Sequence, residues 1–80
     1  MTSVRVEFTV EPFEAGALGP HVQAAIDAAA LRVGEVDVGP FASTATAPSR
    51  DAAMLVHDIV RAALVNGATR VAVQVETIES

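Results

Sequence analysis

The 80-residue chain has no cysteine, no tryptophan and no tyrosine, and it contains only 3 phenylalanines. The absence of cysteine excludes disulfides and thiolate metal sites, and it suits a reducing compartment. Long apolar runs are missing too, since none approaches the roughly 20 residues of a membrane span. The first ten residues have no long apolar core, so we expect no signal peptide. These absences predict a cytoplasmic protein with no membrane partner.

Positive charge is also scarce. The formal net charge is −5, and all 5 cations are arginines scattered along the chain. Phosphate contacts dominate the affinity of proteins for nucleic acid, so an acidic chain without a basic stripe predicts no nucleic-acid partner. A cationic or neutral small molecule fits this charge balance better.

The chain is short enough to form only one domain, residues 1–80. A domain of this size buries only roughly 60% of the surface that its unfolded chain exposes, so its stability margin is small. Apolar residues make up 51% of the chain, but many of them are alanine and contribute little area each. A self-associating surface would compensate, and we therefore expect an oligomer.

The strongest local pattern lies in residues 4–13. Apolar and polar residues alternate strictly there, which predicts a half-buried strand that Pro12 ends. Its apolar side must be covered by later elements, and its polar side faces water, a partner or a ligand. The apolar side consists of Val4, Val6, Phe8 and Val10, and the polar side of Arg5, Glu7, Thr9 and Glu11.

Two stretches have helical periodicity. The first helix is predicted to begin at Pro20 and to end before Gly34. The second is predicted to take Ser49 as its N-cap, to place Asp51 in its first turn and to end at Asn66-Gly67. The first apolar face consists of Val22, Ile26, Ala29 and Val33. The second consists of Ala52, Leu55, Val56, Ile59, Val60, Ala63 and Leu64.

Three further strands are predicted. The second strand is short and contains Val36 and Val38. The third, residues 41–47, can face either way, with Phe41, Ser43 and Ala45 or with Ala42, Thr44 and Thr46 outward. The last strand opens at Arg70 and is predicted to place its valines, Val71, Val73 and Val75, on one face. Residues 78–80 are expected to be a loose tail.

The element order is strand, helix, strand, strand, helix, strand. The predicted fold is therefore α+β, a ferredoxin-like βαββαβ sandwich with a four-stranded antiparallel sheet in the order 4-1-3-2 and both helices on one face. The first strand is then central. Its polar side lies in the middle of an open sheet face.

Catalytic and metal-binding patterns are weak. Neither His21 nor His57 has a patterned partner, because Asp58 points about 100° away from His57 around a helix, so both histidines are expected to be solvated. No cluster has the ligand spacing of a metal site, and no cofactor is expected. The loop at residues 13–19 lacks the arginine that an acylphosphatase would need. Its Gly16 and Gly19 give only a generic signal for anion binding.

The open face is more informative. Two interpretations stand: a solvated or dimer-facing surface, or a small polar pocket for a ligand with amine donors. Phe13 and Phe41 lie outside the apolar pattern and either stack on a flat ring or belong to the rim of the core. The predicted polar acceptors are Glu7, Glu11, Gln74 and Glu76, with the hydroxyls of Thr9, Ser43 and Thr44 beside them.

Four short motifs carry a family resemblance. They are EFTVEPF at residues 7–13, GPHV at 19–22, VGPFAST at 38–44 and GATRVAVQV at 67–75. The chain resembles the small thiamine-binding protein family, which includes the YkoF-like proteins. The resemblance covers nearly the whole chain. It implies a ferredoxin-like fold, a homodimer or homotetramer assembled through its sheets, and non-enzymatic binding of thiamine or its hydroxymethylpyrimidine part.

The resemblance also implies a site. Thr9 and Glu11 of the first strand and Ser43 and Thr44 of the third would border the pocket. The full predicted ligand-binding set is Thr9, Glu11, Phe13, Ser43, Thr44, Gln74 and Glu76. The family commonly has an acidic residue and a glycine before the second helix, where this chain has TAPS at residues 46–49. That departure implies weaker binding or a different ligand. The alternative function is an assembly module that oligomerises through its sheet and binds no small molecule.

Overall fold

The structure is a computed structural model that describes residues 2–13 and 18–78. Four strands and two α-helices follow one another in the predicted order. Their bounds are β1 (Ser3–Glu11), α1 (Pro20–Val33), β2 (Asp37–Val38), β3 (Ser43–Pro48), α2 (Ala52–Val65) and β4 (Arg70–Ile78), with a 3-10 turn at Ser49–Asp51. Gly16, which the sequence analysis noted as part of an anion-binding signal, lies outside the described residues.

The four strands form one antiparallel sheet in the order β2-β3-β1-β4. This is the predicted order 4-1-3-2 counted from the other edge, so the ferredoxin-like α+β fold is confirmed. The alternation in β1 is confirmed as well. Its four apolar residues are buried in a single core with residues of both helices, whereas the residues between them lie on the uncovered face.

Small residues lie between the two helices. The helices therefore pack closely against each other and on the sheet. Ala25, Ala29 and Ala63 are fully buried where α1 meets α2. Leu55 and Ile59 supply the larger side chains of the core. An alanine contact lets two helix axes approach, so the leucine and isoleucine of α2 reach the valines and the phenylalanine of β1.

The predicted helix ends are confirmed at three positions. Pro20 is the first residue of α1, and Gly34 and Gly67 follow the two helices with φ of 82° and 101°. The predicted N-cap of α2 is wrong. Ser49 begins a 3-10 turn, because Pro48 still pairs with Ser3 in the sheet and the chain needs three more residues to turn into the helix. Asp51 then precedes α2 without a capping hydrogen bond from its side chain.

Several predicted strand ends, and one predicted buried position in α2, differ from the structure. β3 begins at Ser43, so Phe41 lies in the preceding turn and is 80% exposed. Leu64 was predicted in the buried stripe of α2, but it is 53% exposed. Ile78 was predicted in the loose tail, but it pairs with Ser3 at the end of β4. Residues 79–80 lie outside the described residues.

The facing of β3 is now determined. Ser43, Ala45 and Ala47 are buried on the helix side, so Thr44 and Thr46 point to the open face. The second of the two facings that the sequence left open is therefore the correct one. As a consequence, Ser43 and Thr44 lie on opposite sides of the sheet.

Candidate functional site

The strongest candidate site lies where β1 extends beyond β3. β1 pairs with β4 as far as Glu11, but its pairing with β3 stops at Phe8, which is opposite Ser43. In the described part of the chain, the end of β1 therefore has a strand neighbour on one side only. A cavity of about 280 Å³ occupies the gap.

Main-chain groups form part of the cavity wall. The carbonyl oxygen of Glu11 accepts a hydrogen bond from the N–H of Thr69, 2.7 Å away on the β4 side. Consecutive residues of a strand direct their N–H and C=O to alternate sides. The N–H and C=O of Val10 therefore face the side on which β3 has ended, and they offer the cavity one donor and one acceptor.

The other walls come from the start of α1 and the turn between β2 and β3. They are mainly apolar, with a few polar groups, which is the usual make-up of a small-molecule site. The apolar lining residues are Phe8, Val10, Phe13, Leu18, Val22, Val38, Phe41 and Ala42, together with Gly39. The polar ones are Thr9, Glu11 and Ser43.

Two aromatic rings flank this cavity. The ring centroids of Phe13 and Phe41 are 6.5 Å apart, with 46° between the ring planes. This is the distance range of an aromatic pair, although the two residues come from distant parts of the sequence. Phe41 is largely exposed and Phe13 is nearly half exposed, so the two rings form the rim of the cavity and not its floor.

The polar lining residues differ in accessibility. Ser43 is only 6% exposed. Glu11 is half exposed, and its carboxylate accepts a hydrogen bond from Arg70 at 3.4 Å, which is a long ion pair. Arg70 is itself largely exposed. The carboxylate of Glu11 is therefore accessible to a further hydrogen-bond donor.

His21 fixes the position of the helix that closes the cavity. This histidine was predicted to be solvated, but its ring is only partly exposed, and its Nε2 donates a hydrogen bond to the carbonyl oxygen of Pro12, 2.5 Å away. A Cβ atom on Gly19 would lie 2.6 Å from the ring carbon Cε1 of His21. The glycine therefore leaves space for the ring, which connects the start of α1 to the end of β1.

The structure divides the predicted ligand-binding residues between two places. Thr9, Glu11, Phe13 and Ser43 line the cavity at the end of β1. Gln74 and Glu76 lie along a shallow groove on the open face, with Arg5 and Glu7. Thr44 is opposite Glu7 on that same face. Leu18, Val22 and Val38 line the cavity but were not predicted, because their apolar character suits an ordinary core equally well.

The open face carries two cross-strand ion pairs. Arg5 contacts Glu76 at 2.7 Å, and Arg70 contacts Glu11 at 3.4 Å. Glu7 is opposite Thr44 on one side and Gln74 on the other. Arg5, Glu7 and Glu76 line the same groove, and the ion pair with Arg5 offsets part of the acidic charge there.

A second charged cluster lies on the helix layer, away from the cavity. Asp58 accepts hydrogen bonds from the Nδ1 of His57 at 3.0 Å and from the Nε of Arg32 at 2.5 Å. His57 is exposed as expected, but Asp58, which was predicted to point away from it, is its hydrogen-bond partner. The hydrogen bond from His57, followed by that from Arg32, holds the pKa of Asp58 below its ordinary value.

We expect Asp58→Asn to lower the thermal unfolding midpoint at neutral pH and to have a smaller effect in acid. The pKa of Asp58 is lower in the folded chain, so its charged form favours folding; this contribution is present above the unfolded pKa and is lost as the pH falls below about 4. Circular dichroism melts at about pH 7, 5 and 3 measure it, with Asp27→Asn as the control. An effect of Asp58→Asn that is equal at all three pH values would contradict the prediction.

The described residues contain no group of three side chains that could hold a metal ion. They also contain no helix that is long and apolar enough to cross a membrane.

Comparisons with known proteins find a solved structure that is similar to this chain. No family model matches the chain, and no curated protein matches it. Among solved structures, the chain is similar to a domain of unknown function, DUF77, from Bacillus cereus. The two are 19% identical with a TM-score of 0.54, and the alignment covers 98% of this chain and 76% of that chain. At this identity the likeness concerns the fold, and it agrees with the ferredoxin-like sheet and helices described above.

Proposed function

We propose that this protein binds thiamine or its hydroxymethylpyrimidine part, without catalysing a reaction, in the cavity at the end of β1. The observation that carries the proposal is the combination of two phenyl rings at the rim with an accessible carboxylate, beside a strand end that β3 does not pair with. Such a site offers a flat apolar surface and directional hydrogen bonds to the same ligand.

The hydrogen-bonding groups suit an aminopyrimidine. This ring presents an amine donor next to a ring nitrogen that accepts. The C=O and N–H of Val10 complement that pair, since one accepts and the other donates. The carboxylate of Glu11 is available to the second amine proton, and a hydrogen bond to a charged acceptor is stronger than one between neutral groups.

The aromatic rim suits the flat face of the ring. Phe13 and Phe41 are tilted by 46° to each other, so a planar ligand can stack on one ring and meet the edge of the other. Phe41 is 80% exposed and gains the most contact when a ligand covers it. This explains why a large apolar side chain lies in the turn between β2 and β3.

Size and charge favour a small, neutral or cationic ligand. The cavity measures about 280 Å³, near the lower limit of small-molecule sites, which range over roughly 300–1,000 Å³. It therefore suits a single ring with the remainder of the molecule outside. The net charge of −5 favours the thiazolium cation of thiamine over an anionic ligand.

The absence of catalysis is part of the proposal. Among the cavity-lining residues in the described ranges 2–13 and 18–78, only Glu11 is titratable. General acid–base chemistry and nucleophilic chemistry both depend on at least one further group that activates or orients the first. A binding protein needs no such partner.

The sequence resemblance and the structural neighbour support the same group of proteins. The similar structure is a DUF77 domain, and DUF77 is the YkoF-like family. That domain is itself of unknown function, so it supports the fold part of the proposal and not the ligand.

A thermal-shift experiment tests the ligand. Thiamine, its phosphates and hydroxymethylpyrimidine are added in turn to the unmodified protein. A ligand present at about 100 times its dissociation constant adds about 2.7 kcal/mol to the free energy of unfolding, which for a domain of this size raises the midpoint by about 10–20 °C. If none of these compounds shifts the midpoint, the proposed ligand class is wrong.

Paired variants test the location of the site. Glu11→Gln and Phe41→Ala are expected to weaken binding about tenfold or more, since each removes a contact worth at least about 1.4 kcal/mol. Glu76→Gln is the matched control, because it removes a carboxylate from the other ion pair of the open face and leaves the cavity unchanged. Weaker binding by Glu76→Gln than by Glu11→Gln would move the site to the open-face groove.

The uncovered sheet favours a second candidate, an assembly module that binds no small molecule. No described element covers the face that carries Arg5, Glu7 and Gln74. Face-to-face packing of two copies would bury several charges, and each would need a partner to offset its desolvation. An oligomer without any ligand-dependent shift would support this alternative over a binding protein.

A further inference from the structure

Phe41 is the outermost of the phenyl rings that line the cavity at the end of β1. The chain has 3 phenylalanines, and all of them line this cavity. Phe8 is 2% exposed, Phe13 is 45% exposed and Phe41 is 80% exposed, so the rings extend from the inner wall to the outer rim. Only the innermost ring contributes fully to the core. The core therefore does not account for the ring of Phe41.

A tight turn between β2 and β3 holds Phe41 in place. The N–H of Gly39 donates a hydrogen bond to the carbonyl oxygen of Ala42 at 2.9 Å, so the loop itself consists of Pro40 and Phe41. Proline fixes its own φ at about −65°. A Cβ atom on Gly39 would lie 2.8 Å from the carbonyl oxygen of Ala42, so glycine suits this position. The exposed ring is therefore presented by an ordered turn, which lowers the entropy cost of binding.

The two rim rings meet different parts of a ligand that has two rings of its own. The cavity of about 280 Å³ holds a single ring, and the remainder of the ligand lies outside. Phe13 is the deeper of the two and is placed to stack on the ring inside the cavity. The centroid of Phe41 is 6.5 Å further on, so its ring is placed to contact the part of the ligand that lies outside.

The charges at the rim favour a cation in front of Phe41. Among the described residues that line the cavity, Glu11 alone carries a charge, and that charge is negative. Its Oε2 accepts a hydrogen bond from Arg70 at 3.4 Å, so the arginine offsets part of the attraction that the carboxylate exerts on a cation. The face of a phenyl ring carries partial negative charge and attracts a cation within about 6 Å of its centroid. Phe41 can therefore supply attraction that the ion pair does not.

We propose that Phe41 is a specificity-determining residue, whose ring binds the positively charged ring of the ligand through a cation–π contact. The site then selects an aromatic cation, such as the thiazolium ring of thiamine, over a neutral molecule of the same shape. This inference rests on the proposed function, because it takes the pyrimidine part to lie in the cavity. It adds that the two parts of the ligand are held at different places by different forces.

A purely hydrophobic role for Phe41 would have different consequences. Hydrophobic contact depends on the apolar area that is covered and not on the charge of the ligand. A cation–π contact depends on that charge and on the aromatic face, and tryptophan provides the strongest face. Leucine keeps an apolar side chain but has no aromatic face. Phe41→Leu and Phe41→Trp therefore separate the two roles, and both change a side chain in an exposed turn.

The first experiment compares thiamine with its neutral thiophene analogue, in which carbon replaces the charged ring nitrogen, by isothermal titration calorimetry. The unmodified protein is expected to bind thiamine about two- to fivefold more tightly than the analogue. Phe41→Leu is expected to bind both compounds equally, and Phe41→Trp is expected to keep or increase the preference. Hydroxymethylpyrimidine is the control ligand. It has no thiazolium ring, so its affinity is expected to change by less than about twofold in Phe41→Leu.

The second experiment removes the arginine beside the rim. Arg70→Gln is expected to increase the preference for thiamine over the neutral analogue by about twofold or more, because the carboxylate of Glu11 then attracts the cation without an adjacent positive charge. A merely structural effect of this variant would weaken both compounds to the same extent. Arg5→Gln is the matched control, since it breaks the other ion pair of the open face, and it is expected to leave the preference unchanged.

Equal binding of thiamine and the neutral analogue by the unmodified protein would overturn this inference, and so would a preference that persists in Phe41→Leu. Failure of the proposed function gives a different result, in which neither thiamine nor hydroxymethylpyrimidine binds. In that case an N-methylated thiazolium and the corresponding neutral thiazole are titrated alone and followed by NMR. Binding of the charged fragment to the unmodified protein but not to Phe41→Leu supports the inference, and equal behaviour of the two fragments overturns it.

Discussion

Phe8→Ala is expected to remove about 3–5 kcal/mol from the free energy of unfolding. Phe8 is only 2% exposed and is the largest of the fully buried side chains. A domain of 80 residues has a total stability of about 4–12 kcal/mol, so this loss removes between about a quarter and all of it. Urea titration followed by circular dichroism measures the loss.

The large expected effect follows from the position of Phe8 and not only from its size. Its ring belongs to the core cluster beneath both helices and also lines the cavity at the end of β1. Its removal therefore costs the core contacts of the ring and leaves a space that opens towards that cavity. Phe41→Ala is the matched control, because it removes the same ring from an exposed turn. We expect it to change stability by no more than about 0.5 kcal/mol. Similar losses in the two variants would contradict the core described above.

Leu55→Ala is expected to cost about 2–5 kcal/mol. The side chain of Leu55 is fully buried and belongs to the core cluster that joins α2 to β1 and α1. Its removal leaves a cavity beneath the helix. The expected fall in the thermal midpoint is about 10 °C or more, which a circular dichroism melt detects directly.

Leu64→Ala separates burial from helix propensity. It makes the same chemical change in the same helix, but Leu64 is 53% exposed, so we expect a loss of at most about 1 kcal/mol. A loss for Leu64→Ala that equals the loss for Leu55→Ala would show that α2 packs with a different face.

Leu55 and Leu64 show how much of the burial in a helix can be predicted from helical periodicity. Both fit one apolar stripe in the sequence, and periodicity correctly gives the direction of that stripe. How many residues of that stripe are buried depends on the width of the surface that the helix packs against. α2 packs on a narrow sheet and a single neighbouring helix, so residues at the border of the stripe remain exposed. Nothing in the local sequence of Leu64 reports the width of that surface.

The facing of each residue in β1 could be predicted more completely than the borders of the buried helix faces. Strict alternation over a strand leaves one choice of face, and the structure confirms every inward residue from Val4 to Val10. β3 could not be assigned in the same way, because serine, threonine and alanine are all small enough for either side. Only its register with β1 shows that Ser43 is buried and that Thr44 is not.

The candidate site was partly predictable for the same reason. The resemblance and the polar pattern identified Thr9, Glu11, Phe13 and Ser43, which the structure brings together. Gln74 and Glu76 share the polar pattern but lie along a separate groove. The site itself depends on where the pairing of β1 with β3 stops, and a strand's pairing length is a non-local property that one sequence does not reveal.

The unequal lengths of β1 and β3 have a consequence for the evolution of this surface. The donor and acceptor of Val10 belong to the main chain, so replacing the side chain at that position leaves them in place. Related sequences could therefore exchange most cavity residues and still present the same pair of polar groups to a ligand. Selection at this site would act on the length of β3 and its turn, and rim residues such as Phe41 would be free to change with the ligand.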